Sequence, residues 1–378
     1  MTTTVAVDAE LTDDVLALIA ARAAASDESG HLAPDVVAAL AATGINRLLR
    51  PAELGGLAAS PRRAVELVEQ IAAIDGSTAW AAAIGFGTNL FAGYLPPDGA
   101  AEVFADPDQS NAAMFAPLGH VTDTGDGSVR LTGRWPFTSN CEQAAWIGLA
   151  APFPGEPAPR LVFVPKSDVT IHQTWDVAGL RATASNDTSV TGVEVHRRHA
   201  CSFADRPWAH GPLWRLPLFV ALTPPLAAVS LGIARGALDE VNGQAVGRRI
   251  QMRGSLLDDH LGMGDLGAAD ASLRGARAGL LESVDDCWAR ATADEPIDRA
   301  LQARAFLAAQ HCTDVAVEVC TTTHRLGGSA AAYRTSRLLR ALRDIETARQ
   351  HAIFNRGLRS HLARTLAGTN EAHPPFVV

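Results

Sequence analysis

Three short segments carry side chains that could hold a flat heterocycle and do chemistry beside it. The first runs Leu131-Thr-Gly-Arg-Trp-Pro-Phe-Thr-Ser-Asn-Cys141 and is followed by Ala145 and Trp146. Trp135 and Phe137 offer apolar walls, and Thr138 and Ser139 offer short hydrogen-bonding groups next to them. The same residues also suit an amphipathic strand whose aromatics fill a core and whose hydroxyls face a turn. The second segment is Trp175-Asp-Val-Ala-Gly-Leu-Arg-Ala-Thr-Ala-Ser-Asn-Asp187. Here Trp175 is a wall, Gly179 permits close backbone approach, and Thr183 and Ser185 can donate hydrogen bonds. A Gly/Ser/Thr loop between two strands has the same composition. The third segment begins His324-Arg-Leu-Gly-Gly-Ser-Ala330, continues through Arg337-Leu-Leu-Arg-Ala-Leu-Arg-Asp-Ile345 and reaches His351. Gly327 and Gly328 would let backbone N–H groups approach a phosphate or ring edge, although a Gly-Gly pair also commonly joins two helices. Arg340 and Asp344 are four apart, the spacing of an ion pair on one helix face. Thr347, His351 and Phe354 share a face if the helix continues, and an imidazole titrating near neutrality suits proton exchange. Arg248, Arg249 and Arg253 supply cations for a phosphate, or else a solvated basic face.

These segments need elements to hold them. From Leu11 to about Ala105 apolar residues recur at helical spacing, as in Val15, Leu16, Ile19 and Ala20, then Val36, Val37, Leu40 and Ile45. Pro51-Ala-Glu-Leu-Gly-Gly56 interrupts the pattern, and Asp75-Gly-Ser-Thr78 opens the next helix with capping residues. Trp80 to Tyr94 reads as an uncharged, buried helix. Between about Ser110 and Val195 the runs become alternating and β-branched, notably at 128–133, 160–165 and 188–195. Helical periodicity returns from Leu216 to Ala367, with room for long helices over 268–293 and 298–326. The expected organisation is a helical domain over 1–109, a β domain over 110–205 and a helical bundle over 206–378. An α, then β, then α order is not the alternation of a doubly wound nucleotide fold, and neither a GxGxxG after a strand nor a GxxxxGK[ST] is present.

The bulk properties agree with a folded protein: 47 % of residues are hydrophobic and 19 % charged. A net charge of −9, with no long run of clustered Lys and Arg, disfavours a nucleic-acid-binding surface. Cys141, Cys201, Cys287, Cys312 and Cys320 are scattered and lack CxxC spacing, which predicts buried free thiols rather than disulfides or a metal cluster. MTTTVAVDAE does not read as a signal peptide and no apolar run reads as a membrane span, so the cytoplasm is the expected location.

Taken in order, the three segments resemble the acyl-CoA dehydrogenase superfamily, and more closely its flavin-dependent (two-component, group D) monooxygenase branch. The resemblance implies a mostly helical α+β fold: an N-terminal helical domain, a small central β-barrel or sandwich and a C-terminal four-helix bundle. It implies a flavin lying along Trp135, Phe137, Thr138 and Ser139, with Thr138 or Ser139 nearest N5. Trp175, Gly179, Thr183 and Ser185 would close its other side, and Arg249 or Arg253 would meet its phosphate. Gly327 and Gly328 would touch the flavin of a neighbouring subunit in a homotetramer. His351 and Ser139 are the catalytic residues it implies. Reduced FMN or FAD would come from a separate NAD(P)H:flavin reductase, and oxygen would reach an aromatic or polycyclic small molecule through a C4a-hydroperoxyflavin, with no metal. The helix at 80–90 and the loop Trp208–Trp214 would enclose the site. A dehydrogenase of the superfamily needs a carboxylate base, commonly in an I-Y-E-G-T stretch, but Gln350-His-Ala-Ile-Phe-Asn355 stands there, with Ala352 in the glutamate's place. Glu240, Asp258 and Asp259 are the nearest substitutes. Acyl-CoA dehydrogenation and a non-catalytic flavin-binding or structural role are therefore the alternatives. Many relatives carry a polar or basic residue on the helix where this chain has only Thr88 and Asn89, which leaves N- or S-oxygenation open beside hydroxylation.

Overall fold

The structure is a computed structural model that describes residues 9–245, 249–250 and 254–369, without the side chains of 249, 250, 254 and 255. Five helices come first: α1 (Asp13–Ser29), α2 (Pro34–Ala42), α3 (Pro61–Ala72), α4 (Gly76–Asn89) and α5 (Pro97–Val103). Their starts are set by capping. Thr12, Ser60 and Asp75 each accept a backbone N–H of the first turn of α1, α3 and α4, satisfying donors that have no partner inside the helix. The uncharged stretch expected from Trp80 to Tyr94 begins earlier, at Gly76, and tightens into a 3-10 turn over Leu90–Gly93.

Eight strands follow: β1 (Ala112–Met114), β2 (His120–Asp123), β3 (Ser128–Trp135), β4 (Trp146–Ala151), β5 (Arg160–Pro165), β6 (Thr170–His172), β7 (Asp187–His196) and β8 (Ala200–Ser202). They form two four-stranded sheets, ordered β1-β4-β5-β8 and β2-β3-β7-β6. Only β1 and β4 run parallel. Alternation along β3 turns Val129, Leu131 and Trp135 inward, where they meet Ile147, Leu149, Val162 and Val164 of the other sheet. The result is a sandwich.

The last part holds α6 (Leu218–Ala245), a two-strand hairpin of β9 (Arg249–Ile250) and β10 (Gly254–Ser255), α7 (His260–Thr292), α8 (Arg299–Leu326), the single turn α9 (Gly328–Ala331), α10 (Arg337–Ala348) and α11 (Gly357–Leu366). α6 packs on α3, α4, α8 and α10, so helices from both ends of the chain share one core that runs from Ala9 to Leu362. By length and composition α6 is apolar enough to cross a membrane, contrary to the reading of the sequence, but 89 % of its most apolar window is buried in this core. The sequence pattern cannot separate the two cases because a core helix and a membrane helix are both apolar all round. All five cysteines are buried and free, and burial pushes their thiols up to about 12 or beyond, which makes them poor nucleophiles.

Candidate active site

The turn that leaves β3 is the first wall of the site. Phe137 (φ 60°) and Asn140 (φ 66°) both sit in the left-handed region, which side chains other than glycine rarely occupy. Asn140 is held there by its own bonds: Nδ2 donates to Ser110 Oγ and Asn111 O, and its N–H donates to Thr183 O. The forced turn aims Phe137 outward, so that its ring is 62 % exposed. Trp175 stands edge-on to it, with ring centroids 6.2 Å apart, and is fixed by Nε1 donating to Leu180 O. An exposed aromatic in a strained backbone conformation makes this turn a candidate ligand surface.

Phe137 and Ser139 open onto a cavity of about 190 Å³. Ala83, Ile84, Gly87 and Thr88 of α4 form one side, Met114 and Phe115 a second, and Phe219, Leu222 and Leu226 of α6 a third. His351, Ala352 and Ile353 close it. Among its described lining residues there is no Lys, Arg, Asp or Glu. A second, polar cavity of about 350 Å³ lies on the other side of His351, lined by Gln310, Asp314, Arg349, Asn355 and Arg356 among others.

His351 is not on a helix face with Thr347 and Phe354. α10 stops at Ala348, and His351 instead caps a 3-10 turn over Ala352–Phe354. Its Nδ1 accepts from Ile353 N at 3.3 Å, which leaves the proton of the neutral ring on Nε2. The ring packs edge-on against Trp80, centroids 5.3 Å apart. Its exposed surface faces the two cavities, and enclosure by protein elsewhere pushes the imidazolium down to about 4. Water entering the cavities restores part of that charge's solvation, so the depression is full only in a closed, dry site. At neutral pH His351 is a neutral donor through Nε2–H.

Behind Ser139 runs a chain of hydroxyls. Trp80 Nε1 donates to Ser139 Oγ at 3.2 Å, Ser139 Oγ lies 2.7 Å from Ser185 Oγ, and Ser185 Oγ lies 2.8 Å from Thr183 Oγ1, which donates to Leu180 O at 2.8 Å. Leu180 N in turn donates to buried Asp344 at 2.6 Å. Burial first, and Asp75 next, raise that carboxyl to about 7.

The structure separates the expected residues into groups. Phe137, Ser139 and His351 reach the cavity, and Trp175 flanks it through Phe137. Trp135 does not: it is fully buried in the sandwich and its Nε1 ties β3 to Ala150 O of β4 at 2.8 Å. Thr138 is buried too, its hydroxyl bonded to Thr188 and Trp135 O, because the left-handed Phe137 beyond the end of β3 turns the next residue back into the sandwich. Gly179 serves close approach to protein: a Cβ there would lie 2.1 Å from Arg343 O of α10. Thr183 and Ser185 stand behind Ser139. Gly327 and Gly328 join α8 to α9; Gly328 takes φ 57°, and a Cβ on Gly327 would meet Leu338 at 2.5 Å. Arg340 makes no ion pair with Asp344, which binds Leu180 N instead. Arg248, Arg253 and the side chain of Arg249 lie outside the described residues. Trp208 donates to Ala92 O, away from the cavity lining, so the 208–214 loop does not enclose the site. The sequence reading missed the double part of Trp80, donor to Ser139 and partner of His351; nothing in its helix pattern marks it, since the contacts span 59 and 271 positions.

A helical–sandwich–helical fold with an apolar cavity where the three layers meet defines the acyl-CoA dehydrogenase architecture. Residues 7–103 match the family Acyl-CoA dehydrogenase, N-terminal domain, and residues 225–356 match Acyl-CoA dehydrogenase, C-terminal domain. The chain is 34 % identical to an indole-3-acetate monooxygenase of Pseudomonas putida over 88 % of this chain and 87 % of that one. It is 28 % identical to the flavin-dependent monooxygenase oxygenase subunit HsaA of Rhodococcus jostii, over 90 % and 92 %. Its fold superposes on XiaF from Streptomyces sp., solved in complex with FADH2 and glycerol, with a TM-score of 0.89 at 24 % identity, covering 96 % and 95 %. The chain belongs to the flavin-dependent monooxygenases of the acyl-CoA dehydrogenase family.

Proposed function

We propose that this protein is the oxygenase component of a two-component system that hydroxylates a neutral aromatic or polycyclic small molecule. The observation that carries the reading is the apolar cavity bounded by exposed Phe137, Ser139 and neutral His351, with Ala352 where a dehydrogenase would place its carboxylate. The residues fit a flavin: Phe137 and Trp175 offer flat walls, and Ser139 offers a polar atom at the ring's edge. When bound in reduced form, the flavin supplies the activation of oxygen. The chain's part is to keep water out through the α4 and α6 side chains, to hold the ring against Phe137, and to donate a hydrogen bond from His351 Nε2 toward the reacting oxygen or the substrate.

Among the described lining residues the cavity has no cation, which favours an uncharged portion of the substrate within it. A carboxylate, such as that of the indole-3-acetate in the relative's name, would have to stay at the mouth or reach the polar cavity beyond His351. Arg249 and Arg253 stay proposed for the flavin phosphate, with Arg349 and Arg356 as further cations on that polar wall. The HsaA relative is named an oxygenase subunit, which supports a separate NAD(P)H:flavin reductase as the source of FMN or FAD in reduced form. We place the enzyme in the cytoplasm as a homotetramer in which Gly327 and Gly328 approach a neighbour's flavin. The test is to mix the protein, loaded anaerobically with reduced FMN or FAD, with oxygenated buffer. Flavin reoxidation much slower than that of free reduced flavin, with delayed hydrogen peroxide release, supports an oxygenase; reoxidation as fast as free flavin refutes it.

A further inference from the structure

The hydroxyl chain behind Ser139 has a direction, and that direction follows from counting protons. Leu180 O has none to give, so the 2.8 Å contact with it requires Thr183 Oγ1 to donate. Thr183 then has only lone pairs left for Ser185, so Ser185 must donate to Thr183 across their 2.8 Å contact. Ser185, its one proton used, must accept from Ser139 across 2.7 Å. Ser139 has also accepted from Trp80 Nε1. Every hydroxyl proton is thereby turned inward, and Ser139 shows the cavity a single unused lone pair. This direction is the one that gives every hydroxyl of the chain a partner; Leu180 O, which also accepts from Trp175 Nε1 and Thr183 N–H, is held in place by the Leu180 N–H to Asp344.

An acceptor at the edge of a flavin distinguishes two redox states. The central ring nitrogen of a reduced flavin carries a hydrogen and donates; that of an oxidised flavin has a lone pair and accepts. Resting on the functional reading above, we propose that Thr183 and Ser185 are positioning residues that lock Ser139 as an acceptor and so make the site select reduced over oxidised flavin. A matched pair gains one hydrogen bond while a lone pair facing a lone pair gains none, and a difference of this size corresponds to roughly tenfold in affinity. For an enzyme supplied by a separate reductase, such a preference retains the useful form and releases the spent one. Thr183 and Ser185 are absent from the cavity lining, so they act through Ser139 alone.

The test is an anaerobic titration of the full chain with oxidised FMN and with dithionite-reduced FMN, repeated with FAD. Wild type, Thr183→Val, Ser185→Ala and Thr183→Ser are compared, with thermal unfolding of each as the check on folding. Thr183→Val frees Ser185 to turn round, and Ser185→Ala removes Ser139's acceptor; each lets the Ser139 proton face the cavity. Both variants are expected to bind oxidised flavin more tightly and to lower the reduced-to-oxidised preference by roughly tenfold. The midpoint potential of bound flavin would fall by about 30 mV for each tenfold lost. Thr183→Ser keeps the hydroxyl and the wild-type ratio. An unchanged ratio in both variants, or an equal loss of both flavin forms, overturns the inference while leaving the functional reading intact. Failure of the wild type to bind either form overturns the functional reading and this inference with it.

Discussion

Gly179→Ala adds one methyl group at the point where the loop behind the proposed flavin site meets α10. The new Cβ would lie 2.1 Å from Arg343 O, 2.2 Å from Arg343 C and 2.5 Å from Asp344 N. All three are backbone atoms of a helix that packs on α6 and α8, so no side chain can swing aside. Ordinary contact begins at 3.4 Å, so the two segments must part by about 1.3 Å. A retreat of that size breaks the 2.6 Å bond from Leu180 N to Asp344 and leaves a buried carboxyl without its donor, at a cost of about 1–3 kcal/mol. Overpacking adds about 1–3 kcal/mol more. The variant should therefore lose roughly 2–6 kcal/mol, read by chemical denaturation, and melt at least about 2.5 °C below wild type, since a chain of 378 residues shifts by only about 1.3 °C per kcal/mol. Its flavin affinity should fall too, because Thr183 and Ser185 ride on the same loop. A melting temperature within about 1 °C of wild type would refute the argument that this glycine serves the loop–helix contact.

His351→Ala removes the Nε2–H donor but neither aromatic wall, so flavin should still bind while hydrogen peroxide replaces hydroxylated product; unchanged coupling, measured as product per oxygen consumed, rules out the assignment. In the closed, dry site desolvation pushes His351 down, toward about 4, so stability should fall as pH drops from about 6.5 toward 4, and the rate profile of the closed complex should show no limb from it near 6.5. Asp344 behaves in the opposite sense: its raised carboxyl stabilises the fold at low pH and that contribution is lost as pH rises through about 7. Asp344→Asn, which keeps an acceptor for Leu180 N, should stabilise the protein by roughly 2–4 kcal/mol at pH 8 and by much less at pH 5, and equal melting shifts at both pH values would contradict this. Phe137→Ala should weaken flavin binding by about 5–150-fold, by analogy with aromatic stacking on nucleobases. The same change should leave the melting temperature unaltered, since the ring is 62 % exposed, and a large drop would mean that Phe137 packs the fold rather than a ligand.

Local patterning was enough to place the three layers, because helix and strand periods, caps and turn residues act over a few positions. The strand expected at 160–165 is β5, the long helices expected near 268–293 and 298–326 are α7 and α8, and Asp75 caps α4. Of the three segments, the first gives Phe137 and Ser139 and the third gives His351 to the cavity lining, while the second stands behind Ser139. What the chain alone left open was which member of each segment faces the cavity. Trp135 and Phe137 looked interchangeable, and only the strained turn after β3 sends one into the sandwich and the other out. Thr138 and Ser139 are likewise separated by that turn, which gives Thr138 to Thr188 of β7 and Ser139 to the cavity and Ser185. Gly179 and Asp344 read as a ligand contact and half of a helical ion pair, yet they meet each other's segments across 164 positions. Such long-range contacts have no local signature, because they are fixed by how the sandwich docks against α4 and α10. The hydroxyl chain from Trp80 to Leu180, and with it the polarity of Ser139, exists only once that docking is complete.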